Sequence, residues 1–198
     1  FIETQPNPVV VNVGCGLDTR FQRIGDRKAV FYDMDLPEVI ALRRQLIPEQ
    51  PGPIYIAASL LETDWMDDLL RKHPDSKFIF IIEGVLMYFY EEQVKTFLRH
   101  VAHRFGGGEL WFDVCGTMMS RHVAKPDALR KHEAQIRSGL NNGHLVEQWE
   151  PVLQLIEQAN YMKFFRPRWG FFFGQILGRM KWLCYKFSSL LGYRITSE

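Results

Sequence analysis

Four valines and one asparagine, Val9-Val10-Val11-Asn12-Val13, run directly into Gly14-Cys15-Gly16 and then Leu17-Asp18-Thr19-Arg20. β-Branched residues favour extended backbone, and a near-continuous apolar run suits a strand covered on both faces. The glycines allow a tight turn and a close approach of backbone to a ligand, and Asp18-Thr19 is a helix-start signal. A buried parallel strand, a glycine loop and a helix N-terminus in that order make up the opening of a nucleotide-binding α/β unit, whose helix-start N–H groups favour an anionic oxygen. The same order also occurs in α/β turns that bind nothing, so the segment constrains the fold class more firmly than the ligand.

Downstream, the alternation continues. Strands are expected at Lys28–Asp33, Ile54–Ala58, Lys77–Glu83 and Glu109–Val114. Helices are expected at Leu36–Leu46, with Pro37 in the first turn, at Asp64–Arg71, and at Glu91–Phe105, where Val94, Phe97, Leu98, Val101 and Ala102 recur at helical spacing. Strands and helices in alternation at short spacing predict an α/β, Rossmann-like doubly wound sheet, and 198 residues fit a single domain spanning 1–198. After residue 115 the pattern loosens. A polar stretch around 117–150 reads as a helical lid insertion over the ligand edge, Pro151–Asn160 as a helix and Tyr161–Phe165 as a possible strand. Residues 169–191 read as an amphipathic helix packed on the domain, and Tyr193–Thr196 as a final strand.

Composition excludes several classes. With 24 basic and 23 acidic residues the net charge is +1, so no nucleic-acid partner is expected. Cys15, Cys115 and Cys184 are far apart and odd in number, which points to free thiols in a reducing, cytoplasmic setting, and no zinc spacing is present, so no metal is expected. The N-terminus has neither the basic region nor the apolar core of a signal peptide, and a first residue other than Met suggests a piece of a longer chain. Arg179, Lys181 and Lys186 interrupt the one membrane-like stretch, so no membrane partner is expected. Oligomeric state has no signature.

In an open parallel sheet, ligands sit beyond the carboxyl ends of the strands. The groups expected there are Gly14 and Gly16, the Asp33/Asp35 pair, Ser59-Leu60 and Glu83. A carboxylate at the end of the second strand can accept two hydrogen bonds from a vicinal diol such as a ribose. Asp35 is the first candidate and Asp33 the second, although Asp35 could instead cap the helix that starts at Leu36-Pro37. Glu83 closes a strand of five large apolar residues and requires a cationic or donor partner, which could be a ligand ammonium, a protein lysine or arginine, or solvent. Thr19 stands where a GxGxxG loop has its third glycine. That disfavours a pyrophosphate and leaves room for S-adenosylmethionine, which presents a carboxylate, an ammonium, a ribose and an adenine.

Three segments in register, Val11-Asn12-Val13-Gly14-Cys15-Gly16-Leu17-Asp18-Thr19-Arg20, Asp33-Met34-Asp35-Leu36-Pro37-Glu38-Val39 and Glu83-Gly84-Val85-Leu86-Met87-Tyr88-Phe89, resemble the leucine carboxyl methyltransferase family. More narrowly, they resemble its bacterial branch of tetracenomycin-type polyketide O-methyltransferases. The resemblance implies a class I methyltransferase fold, with a seven-stranded, mostly parallel sheet, helices on both faces and an antiparallel last strand. It also implies S-adenosylmethionine as cofactor and methyl transfer to a carboxylate or hydroxyl oxygen of a small or medium-sized acceptor. By motif, Gly14 and Gly16 would line the methionine moiety, Asp35 would hold the ribose, Ser59-Leu60 would lie beside the adenine, and Glu83 would receive the ammonium. Relatives place Asp-Leu at the Ser59-Leu60 position, and serine supplies no charged acceptor there. They also carry, ahead of the first strand, a helical segment with an arginine for the cofactor carboxylate, which is apparently absent here.

No catalytic residue is assigned, because a carboxylate acceptor needs no general base; His122, His132 or His144 could serve a phenol or alcohol. Tyr88 could touch substrate or cofactor or pack under the lid, and Arg166 with Arg168 could be a bidentate donor to an anionic acceptor or a solvated basic turn. Trp149, Trp169 and Phe171-Phe172-Phe173 could line an apolar acceptor pocket or simply pack. Two alternatives from other classes are a methyltransferase-fold domain that binds without turnover and an NAD(P)-dependent oxidoreductase.

Overall fold

The computed structural model describes residues 1–24, 28–47, 52–121, 135–164, 166–170 and 177–197. Its strands are β1 (Pro8–Val13), β2 (Val30–Asp35), β3 (Ile54–Ala57), β4 (Lys77–Ile82), β5 (Glu109–Cys115), β6 (Leu153–Ala159) and β7 (Ser188–Ile195). Its helices are α1 (Arg20–Ile24), α2 (Pro37–Leu46), α3 (Asp64–Lys72), α4 (Glu91–Arg104), α5 (Thr117–Ser120), α6 (His144–Trp149) and α7 (Lys181–Tyr185). The strands form one sheet of seven in the order β3-β2-β1-β4-β5-β7-β6. β1 to β5 pair in parallel, and β7 is antiparallel to both β5 and β6. β6 therefore ends on the same edge of the sheet as β1 to β5.

β1 is buried along its whole length at the centre of the sheet, which explains its valines. β4 alternates instead: Phe78, Phe80 and Ile82 are buried, while Ile79 and Ile81 are half-buried. The apolar stripe expected on α4 is the stripe observed, since Val94, Phe97, Leu98, Val101 and Ala102 are its buried residues. Phe105, just past α4, packs edge-on against Phe78 and Phe80, with ring centroids 4.8 and 4.7 Å apart, and Trp65 of α3 meets Phe80 at 6.3 Å. Edge-to-face contacts of this kind add to the area term, about 0.5–1.5 kcal/mol per pair.

In the first five strands and the helices between them, boundaries differ from expectation by at most two residues; β2 begins at Val30 and runs on to Asp35. The C-terminal third departs further. Pro151–Asn160 is not a helix, because residues 153–159 form strand β6. A β-bulge at Leu155/Glu157 breaks the two-residue alternation and leaves Ile156 exposed, so the apolar positions imitate helical spacing. Tyr161–Lys163 is a single 3-10 turn rather than a strand. Of the amphipathic helix expected over 169–191, residues 171–176 lie outside the described residues, the described part holds a 3-10 turn at Leu177–Arg179 and the five residues of α7, and the final strand begins at Ser188, not Tyr193. Within the expected lid, α5 and α6 are short helices, while 122–134, with His122 and His132, and likewise Phe171-Phe172-Phe173, lie outside the described residues. Among the described residues no helix is long and apolar enough to cross a membrane, and no group of His, Cys, Asp or Glu could hold a metal ion.

Candidate functional site

The strand order changes direction between β1 and β4, and a crevice opens beyond the carboxyl ends of the strands around that switch. It holds about 280 Å³. Val13 and Gly14 line it from β1, Met34, Asp35 and Leu36 from β2, Ala58, Ser59 and Leu60 from β3, and Gly84, Val85, Tyr88 and Phe89 from β4. The cleft thus brings together Gly14, Asp35, Ser59, Leu60 and Tyr88 of the residues expected from sequence. Gly14 has φ +71°, and a Cβ there would collide with the Val85 side chain, so both conformation and space demand glycine. The loop is folded tightly back on β2, with the Gly14 and Cys15 amides both donating to the Met34 carbonyl at 2.8 and 2.9 Å.

Asp35 stands at the tip of β2 with each carboxylate oxygen taking one backbone N–H, Gly16 at 2.7 Å and Leu36 at 2.8 Å. It is not the helix cap: α2 starts behind Leu36, with Pro37 in the first turn and no side-chain cap bond. Asp33, the second ribose candidate, is withdrawn from the cleft. It is buried with the fully buried Arg43, whose Nη2 lies 2.5 Å from Asp33 Oδ2. Burial pushes the Asp33 carboxyl above its ordinary value, and the Arg43 charge pulls it back.

Glu83 sits just past β4 with its side chain 54% exposed, and the cationic partner it requires is Arg20, whose Nη2 donates to Oε2 at 2.7 Å. Arg20 Nη1 donates in turn to Asn12 Oδ1 at 3.0 Å, and Asn12 Nδ2 to Asp33 Oδ1 at 3.1 Å. Arg43 completes the route by donating to the Gly16 carbonyl at 2.9 Å. One continuous hydrogen-bonded chain, Glu83–Arg20–Asn12–Asp33–Arg43–Gly16–Asp35, therefore runs beneath the glycine loop and joins the two acids at its ends. Sequence reasoning gives no role to Asn12, Arg20 or Arg43. The one visible signal is Asn12, a polar residue inside a run of valines; Arg43 reads as an ordinary solvated helix position.

Behind Gly84 lies a second support. Its amide donates to Asp113 Oδ1 at 2.8 Å, and the Tyr161 hydroxyl donates to Asp113 Oδ2 at 3.2 Å. Burial raises the Asp113 carboxyl above its ordinary value, and raises Tyr88 and Tyr161 too. Cys15 is pushed up to about 12 and Cys115 to about 11, so neither offers a thiolate near neutral pH. Ser59 is half-buried, and its Oγ accepts from the Leu61 amide at 3.2 Å. Arg166 opens a 3-10 turn, Arg166–Trp169, that follows β6 in the chain.

Comparison with known proteins bears on the family and the fold. A family model described as leucine carboxyl methyltransferase matches residues 4–102. The tetracenomycin polyketide synthesis O-methyltransferase of Streptomyces glaucescens is 32% identical over 159 residues, which are 80% of this chain and 58% of that protein. The chain thus spans somewhat more than half the length of that relative. Among solved structures, a SAM-dependent methyltransferase from Anabaena variabilis has a TM-score of 0.62 at 11% identity, over 96% of this chain and 77% of the other. Magnesium protoporphyrin IX methyltransferase from Synechocystis, with bound SAH, has a TM-score of 0.56 at 13% identity, over 97% and 75%. At such identities these likenesses show the fold, the Rossmann-like fold of class I methyltransferases. With its sequence match across the glycine loop, β2 and β4, the chain belongs to the leucine carboxyl methyltransferase family.

Proposed function

We propose that this chain is the cofactor-binding and catalytic domain of an S-adenosylmethionine-dependent O-methyltransferase. The observation that carries the reading is the cleft at the β1/β4 switch, with Asp35 on one wall and Gly84, the residue after Glu83, on another. The residues fit the cofactor. A carboxylate has about four acceptor positions, and the two backbone N–H groups on Asp35 leave room for both hydroxyls of a ribose. Gly14 leaves backbone, not side chain, on the cleft wall for the methionine portion, and Gly16 fixes Asp35 through its amide. Leu60 and Ala58 offer an apolar bed for an adenine, with Ser59 as a neutral hydroxyl at the position where relatives have a charged acceptor. Glu83 can accept an ammonium on the oxygen that Arg20 leaves free.

When bound, the cofactor supplies an electrophilic methyl group on a sulfonium. The chain's part is to orient and to exclude water, effects worth several kcal/mol in such displacements. Tyr88 and Phe89 line the cleft, and Tyr88, kept neutral by burial, can donate to an acceptor oxygen. No residue needs to remove a proton if the acceptor is a carboxylate. The acceptor is a small or medium-sized molecule, not a nucleic acid or a membrane. Three buried cysteines, none of them in a disulfide, support a reducing, cytoplasmic setting.

A binding domain without turnover is the second reading, favoured by the Arg20–Glu83 pair, which an ammonium must share or displace. Transfer of label from methyl-tritiated S-adenosylmethionine to a panel of aromatic carboxylic acids and phenols separates the two. Labelled ester or ether supports the enzyme; cofactor binding with no labelled product across the panel favours the binding domain.

A further inference from the structure

A second cavity, about 350 Å³, opens at the end of β6, on the sheet edge that also carries the cleft. That volume is in the range of small-molecule pockets, roughly 300–1,000 Å³, and exceeds what a single inorganic oxyanion fills. Lys163, Arg179 and Lys181 line it, and no carboxylate does so among the described residues. Lys163 is partly neutralised by Glu157 at 2.6 Å. Arg179 and Lys181 have no ion pair among the described residues.

The polar groups at the cavity divide into used and unused. Gln158 is spent on structure: its amide donates to the Asn141 carbonyl at 2.9 Å and to Ser189 Oγ at 3.1 Å, and it accepts from the Gly143 amide at 3.1 Å. The Tyr185 hydroxyl is likewise committed to the Gln158 carbonyl at 2.9 Å. Asn160 is different. It is 5% exposed, and its buried side-chain oxygen has no hydrogen-bond partner among the described residues. An unsatisfied buried amide costs about 1–3 kcal/mol, a cost that a ligand donor would remove. Hydrogen bonds link the walls of the two: Tyr161, next to Asn160, bonds to Asp113, which holds the amide of Gly84, a residue that lines the cleft.

We propose that this cavity is the subsite for an anionic group of the methyl acceptor: a carboxylate held by Arg179 and Lys181, with a neighbouring hydroxyl donating to Asn160. The anchored carboxylate is then not the methylated oxygen, which belongs to another part of the same molecule reaching the cleft. The role of this ligand as acceptor rests on the O-methyltransferase reading; the existence of the anion subsite does not.

Salicylate, which has both groups on a small ring, is the probe, and salicylamide is its neutral counterpart. Calorimetric titration should detect salicylate on the unmodified chain and at least tenfold weaker salicylamide. Arg179→Gln/Lys181→Gln, a change confined to exposed side chains, should weaken salicylate at least tenfold and leave S-adenosylhomocysteine affinity unchanged. Asn160→Leu should lower salicylate affinity severalfold and bring it closer to that of benzoate. Absence of salicylate binding, or binding that neither the double variant nor loss of the charge affects, overturns the subsite. If S-adenosylhomocysteine alone fails to bind, the cofactor reading falls, and the salicylate titration still decides the subsite by itself.

Discussion

The cleft around β1 and β4 and the cavity at the end of β6 open on one edge of one sheet, yet they are built in opposite ways. The cleft is a matter of backbone: glycine conformations, amides turned onto Asp35, and a hydrogen-bonded chain beneath that commits the polar atoms to one another. The cavity is a matter of side chains, two of its cations and one buried amide being left without partners among the described residues. The difference fits a division of labour. A site for a shared cofactor can be fixed in advance by the fold, whereas a site for a particular acceptor is assembled from side chains that can change without disturbing the sheet.

If that contrast is right, the largest effects of substitution fall beneath the cleft. Arg43→Met strands a buried carboxylate at Asp33 and should cost about 3–5 kcal/mol of stability in urea unfolding, part of which Arg43→Met/Asp33→Asn restores. A loss under about 1 kcal/mol, the scale of an exposed pair, would mean that the chain of bonds is incidental. Gly14→Ala forces a left-handed backbone and a collision with Val85, and roughly 2–4 kcal/mol of stability or cofactor affinity should disappear. Undiminished S-adenosylhomocysteine affinity in a stable Gly14→Ala protein would count against the loop geometry.

Asp113 supplies a test by pH. Because burial raises its folded pKa, the folded state holds its proton over a window in which the unfolded chain, with an ordinary value near 3.9, has lost it. Stability from this group is therefore full at low pH and declines as pH rises through the folded value. Asp113→Asn keeps an acceptor for the Gly84 amide and lacks the titration. Wild type should therefore lose ground to it as pH rises above about 4, at up to roughly 1.4 kcal/mol per pH unit until the folded carboxyl has ionised. Parallel melting curves between about pH 4 and 8 would mean that this carboxyl contributes nothing to the pH dependence. Smaller still, Tyr161→Phe deletes one neutral-to-acid bond at 3.2 Å and should cost about 0.5–1.5 kcal/mol in thermal unfolding.

Legibility in the sequence follows the same division. α4 is readable to its last buried side chain, because Val94, Phe97, Leu98, Val101 and Ala102 answer to a local period. The acid at the tip of β2 is readable because strand ends and turn signals are local. Arg43 is not, since its neighbour in space, Asp33, is on another element and nothing in Leu42-Arg43-Arg44 distinguishes a buried guanidinium from a solvated one. The first half of β7 escapes notice because Ser188, Ser189 and Gly192 are poor strand formers by themselves. Gly192 belongs there because the Trp111 ring of β5 lies over it, 2.6 Å from where a Cβ would stand. β6 passes for a helix on similar grounds: its bulge is defined by pairing with β7, a partner distant in sequence.

The central claim, that the cleft at the β1/β4 switch is the S-adenosylmethionine site, is tested most directly by calorimetric titration of the wild-type chain and Asp35→Ala with S-adenosylhomocysteine, NAD serving as control. Hydrogen bonds to a charged acceptor are worth about 1.5–3 kcal/mol, so the predicted result is saturable binding by the wild type, a loss of tenfold or more in Asp35→Ala, and no binding of NAD. Equal affinity in the two proteins, or preference for NAD, would contradict it.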